Sequence, residues 1–130
     1  MTLRFRVAKL IRDGMPARMR AMGLRVHERT LEPDEYVVAL QEKLVEEATE
    51  ARAATRDAEL LEELADVAEV LWALAASRGF AREDVEAKRL AKRAERGGFD
   101  ARVFNSGVEA DEGTPATAYY LAQPDRYPRE

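Results

Sequence analysis

Cysteine is absent from this chain of 130 residues, which excludes disulfides, iron–sulfur clusters and thiolate zinc sites and suits a cytosolic protein. Histidine occurs once, at His27. With no second ligand near it in sequence, His27 is read as a partly exposed structural residue and given no role. Ser106 has no adjacent base and makes no nucleophile. No apolar run reaches the length of a signal peptide or a membrane span, the N-terminal MTLRFRVAKLIRDGMP included, so the chain is expected in the cytoplasm with no membrane partner. Basic charge is not in excess either. The 21 Lys and Arg face 25 Asp and Glu, for a net charge of −4 with the signs interspersed, so no basic stripe exists to hold a nucleic-acid polymer.

Hydrophobic residues make up 46% and charged residues 35% of the chain. That balance, rich in Ala, Glu, Arg and Leu, predicts a soluble, largely helical domain with a modest core that oligomerisation would enlarge. Residues 4–11 mix apolar and basic positions and stop at Asp13-Gly14, which reads as an extended segment or short strand. Pro16 starts a short helix closed by Gly23, and residues 24–30 alternate as a second extended piece. Pro33, Asp34 and Glu35 open a helix that runs to about residue 54. Asp57 can cap the next, which ends near Gly79. A further helix covers residues 82–96 and stops at Gly97-Gly98. From residue 105 onward turn-forming residues accumulate and no helical period remains. The expected organisation is an all-α helical bundle over residues 1–104, with short extended segments near its N-terminus, and an irregular tail over residues 105–130, docked by Tyr119, Tyr120 and Leu121.

Four acids stand out in matched pairs, Glu47 with Glu50 and Glu63 with Asp66, each pair three residues apart on a helix and so on one face. At about 100° per residue, Glu47 falls inside the apolar stripe of Val37, Leu40, Leu44, Ala48 and Ala51, and Glu63 falls among Val67, Val70 and Leu74. A carboxylate in such a place needs a cationic partner, a proton or a metal ion. No Lys or Arg is interleaved with the four acids, which favours metal, and carboxylates alone select a hard cation, Mg2+ or Mn2+. The few residues between the helices predict antiparallel packing, with all four carboxylates at one level. The alternative is a solvated or salt-bridged acidic face on a non-catalytic helical interaction module.

EEATE (residues 46–50) and EELAD (residues 62–66), in that order, resemble the EExxE and ExxD signature of the all-α MazG-like nucleoside triphosphate pyrophosphohydrolases, a superfamily that includes phosphoribosyl-ATP pyrophosphatase. KLIRDGMP (residues 9–16) resembles the opening segment of a small stand-alone branch, and KRAERGGF (residues 92–99) its closing one. The resemblance covers roughly residues 7–102. It implies a helical bundle that forms a homodimer or dimer of dimers and splits a nucleoside triphosphate into monophosphate and pyrophosphate. It further implies Mg2+, or Mn2+ in its place, on Glu47, Glu50, Glu63 and Asp66, with Glu46 as outer ligand or as the base that orients water. Lys9 and Arg12, alternatively a surface strand end paired with Asp13, become candidates for the triphosphate, as do Lys92 and Arg96, otherwise ordinary cations of a helix C-terminus. Phosphoribosyl-ATP pyrophosphatase, cleaving the same bond in another substrate, is the second enzymatic expectation. Trp72 shares its helix face with Leu61, Ala65, Ala68 and Ala75 and reads as core or subunit interface.

Overall fold

The computed structural model describes every residue from Met1 to Glu130 and is all-α, with no strand. Its helices are α1 (Met15–Ala21), α2 (Pro33–Ala53), α3 (Asp57–Ser77), α4 (Arg82–Arg96) and α5 (Pro115–Leu121). By internal contacts the chain divides into two units, Met1–Glu95 and Arg96–Glu130.

In the first unit, α2 begins where proline costs least, with Pro33 in the first turn and Asp34 and Glu35 at the positive end of the dipole. Glu35 accepts a hydrogen bond from the Glu32 backbone N–H at 3.3 Å and is paired with Arg29 at 2.9 Å. Residues 54–56 then reverse the chain. Arg56 occupies the cap position of α3 without a capping side chain, while Asp57, expected there, is the first helical residue and acts through its charge at the helix start. Gly79, at φ 80°, ends α3 by donating to the Ala76 carbonyl, and Phe80 donates to that of Ala75.

The helix pair packed face to face is α2 with α3, an antiparallel hairpin set by the short connection. Neither α1 nor α4 packs on another helix, although the Arg82 guanidinium lies 5.3 Å from the centre of the Trp72 ring. Burial is thin. Leu40, 3% exposed, and Val70, 8% exposed, are the buried hydrophobic residues, and Glu47 is buried with them. On the rest of α3, Leu61 is 70% and Leu64 51% exposed.

Residues 4–11 and 24–30, read as possible strands, form none. Ala8 has φ 47°, a left-handed conformation that interrupts any extended run, and the segment is instead tied to α2 and α3 through side chains.

The second unit corrects the expectation of an irregular tail, because residues 115–121 are helical. Thr114 caps α5 by accepting from the Thr117 N–H at 3.3 Å, Pro115 fills the first turn, and the Asp111 carbonyl accepts from the Thr114 hydroxyl at 3.1 Å. Tyr119 and Tyr120 pack within this unit, while Leu121 is exposed. Their rings meet edge to face at 5.2 Å, and Tyr127 packs on Tyr120 at 4.9 Å.

Leu40→Ala is expected to cost about 2–4 kcal/mol in denaturant unfolding at fixed protein concentration, because it opens a cavity in the α2–α3 seam. Val38→Ala, at a half-exposed position on the same helix, should cost well under half as much.

Candidate metal centre

Glu46, Glu47 and Glu50 come from α2, and Glu63 and Asp66 from α3. The period that puts Leu40 into the seam also puts Glu47 there, seven residues and nearly two full turns on. Glu47 is 6% exposed. One oxygen, Oε1, lies 3.4 Å from the Lys43 ammonium; the other, Oε2, is buried with no hydrogen-bond partner. Glu63 Oε2, arriving from α3, is likewise buried and unpartnered.

One carboxylate oxygen each from Glu47, Glu50 and Glu63 lies within 4.8 Å of the others. Oxygens that share one hard cation, each about 2.0–2.6 Å from it, fall within roughly 5 Å of each other. The set therefore fits a hard divalent ion on two counts: spacing, and two orphaned buried oxygens that nothing in the chain satisfies. Asp66, the fourth sequence candidate, stands outside that trio, and its Oδ1 accepts a hydrogen bond from the Arg12 guanidinium at 2.6 Å.

Lys9 reaches the cluster as well, its ammonium donating to Glu46 Oε1 at 2.6 Å, while Lys43 pairs with Glu46 Oε2 at 3.0 Å. The Asp13 pairing considered for Lys9 and Arg12 is thus replaced by pairing with the acids of α2 and α3. Lys92, on α4, and Arg96, which opens the second unit, make no side-chain hydrogen bond or ion pair.

The electrostatics divide adjacent residues. Burial pushes the Glu47 carboxyl above the usual glutamate range, the neighbouring Glu50 adds to this, and Lys43 only partly opposes it. Glu46 is held below that range, by Lys9 first and then Lys43. Lys43 is itself disfavoured as a cation by burial, yet its two carboxylate partners outweigh that and its pKa is raised.

The expectation that no cation intrudes on the acids fails at Lys43, which sequence reading passed over. Its signal was present as spacing: three residues before Glu46 and four before Glu47 is the distance at which a helix pairs charges. A pocket of about 160 Å3 lies beside Glu47, lined also by Arg12, Lys43, Asp66 and the unanticipated Tyr36 and Glu69, while Glu50 and Glu63 do not line it. A second, larger groove of about 1370 Å3 shares Arg12, Tyr36 and Lys43 with it.

No protein-family model matches the chain, and no solved structure does. An uncharacterized protein of Mycolicibacterium smegmatis is 53% identical over 55 residues, which cover 42% of this chain. The matched stretch spans 56% of that protein's length.

Glu47 is a group whose folded pKa is raised, so its stabilising effect is complete below the unfolded value and is lost as pH rises through the folded one. Glu47→Gln removes the ionised form. In chelator, its melting temperature should therefore exceed that of the wild type at about pH 7, and the two should converge as pH falls toward about 4.

Proposed function

We propose that the chain is a MazG-like, Mg2+-dependent nucleoside triphosphate pyrophosphohydrolase that cleaves between the α and β phosphates and clears non-standard or surplus nucleotides. The observation that carries this reading is the pair of buried, unpartnered oxygens of Glu47 and Glu63, facing each other's helices beside an exposed Glu50. A salt-bridged interaction face accounts for Lys9 with Glu46 and Arg12 with Asp66. It leaves the orphaned oxygens without a reason.

In this reading Glu47, Glu50 and Glu63 hold the ion, and Asp66 joins them when it parts from Arg12. Bound there, Mg2+ would neutralise the leaving pyrophosphate and lower the pKa of an attacking water. Lys9 and Arg12, now on carboxylates, are placed to transfer to phosphate oxygens, which take up a guanidinium or ammonium equally well. Glu46 orients water once it is freed from one of its two cations, since a carboxylate held between Lys9 and Lys43 accepts protons poorly. The groove of about 1370 Å3, which Lys9, Arg12 and Glu46 line, has room for a nucleotide.

Assembly is part of the proposal. Leu61 and Leu64 present an apolar face on α3 that no helix of the chain covers, and a second copy would bury it in a homodimer or dimer of dimers. Lys92 and Arg96 remain, in this reading, candidates for the triphosphate.

A panel of nucleoside triphosphates assayed for pyrophosphate release should give Mg2+-dependent turnover, restored by Mn2+ after chelation. Glu47→Gln and Asp66→Asn should lower it by about two orders of magnitude or more with the fold intact. Undiminished activity in chelator, or no hydrolysis of any triphosphate, would overturn the reading. In light scattering the protein should be dimeric or tetrameric, and Leu61→Glu with Leu64→Glu should dissociate it; a fully active monomer of 14.6 kDa would contradict the assembly.

A further inference from the structure

Lys43 is the one cation in direct contact with the buried member of the carboxylate cluster. Its side chain is 16% exposed, against 49% for Lys9 and 57% for Arg12, so it reaches the site along the seam and not from solvent. The ammonium bridges Glu46 Oε2 at 3.0 Å and Glu47 Oε1 at 3.4 Å. The same side chain lines both the small pocket and the larger groove.

We propose that Lys43 is a positioning residue: the built-in cation that holds Glu46 and Glu47 in place in the metal-free protein and competes with a divalent ion for Glu47. The inference rests on the carboxylate-site reading above. Three carboxylates within a few ångströms, one of them desolvated, repel one another, and an ammonium inside the cluster relieves part of that repulsion before any ion arrives. A lysine fits this place because its charge is compact and its stem flexible, so it can give up one carboxylate while keeping another. Glu46 is the second holder: it retains the ammonium near the site when Glu47 turns to the ion. The relief that Lys43 gives the empty site is subtracted from what an ion gains on entering. Metal affinity and metal-free stability therefore move in opposite directions when this charge is removed.

The test uses the full-length protein, with Mn2+ alone as probe in calorimetric titration and thermal unfolding in chelator. Lys43→Met should lower the metal-free melting temperature and tighten Mn2+ binding by about three- to tenfold, a modest factor because the pair is only partly desolvated. Lys43→Arg keeps the charge and should restore both quantities toward wild type. A residue that merely packs would lower stability without tightening Mn2+. Should Lys43→Met fold poorly, Lys43→Gln, which retains a donor for Glu46, carries the same expectation. Unchanged or weaker Mn2+ binding in the charge-free variants, with the wild type binding Mn2+, overturns the role of Lys43 and leaves the metal site standing. A wild type that takes up no Mn2+ overturns both.

Discussion

Placing a carboxylate where water is excluded costs several kcal/mol unless a cation, a hydrogen bond or a proton compensates it, and at Glu47 only one of two oxygens has such a partner. Much of the first unit follows from that cost. Lys43 is drawn to Glu47 and carries Glu46 with it. Glu46 in turn takes Lys9, so that an alternating row of charges leads from the seam out to the N-terminal segment. Arg12 repeats the arrangement on the other helix with Asp66. The N-terminal segment thus meets the hairpin through two ion pairs at half-exposed positions, the kind of contact that salt screens, as well as through the half-buried Leu10 and Ile11.

The other constraint is scarcity of core. A two-helix hairpin has one seam, and here the seam closes over little more than Leu40 and Val70. Apolar residues that face away from it, Leu61 and Leu64 above all, have no helix of the same chain to meet. The proposed assembly and the proposed chemistry are therefore linked through α3, which presents Glu63 and Asp66 toward α2 and Leu61 and Leu64 away from it.

Helix positions were legible because their signals are local. Pro33 with Asp34 and Glu35, the break before Asp57 and the glycine at 79 delimit α2 and α3 to within a residue or two, and the 3.6-residue period placed Glu47 in the apolar stripe before any packing was known. α5 escaped for a matching reason. Seven residues make fewer than two turns, too few for a period, and only the Thr114-Pro115 start announced it. The extended reading of residues 4–11 rested on an apolar and basic mixture that suits an irregular segment as well as a strand, and the left-handed Ala8 separates the two only in three dimensions.

By itself the sequence determined the helical class, the two acidic pairs and the faces they occupy, since those depend on spacing along one chain. Which cation answers which acid was decided by tertiary structure. Arg12 is 54 residues from Asp66 and Lys9 is 37 from Glu46, separations that carry no periodic signal. The split of the four acids into a close trio and an Asp66 held by Arg12 belongs to the same level. So does the isolation of one Glu47 oxygen, because desolvation is a property of what packs around a group and not of its neighbours in the chain.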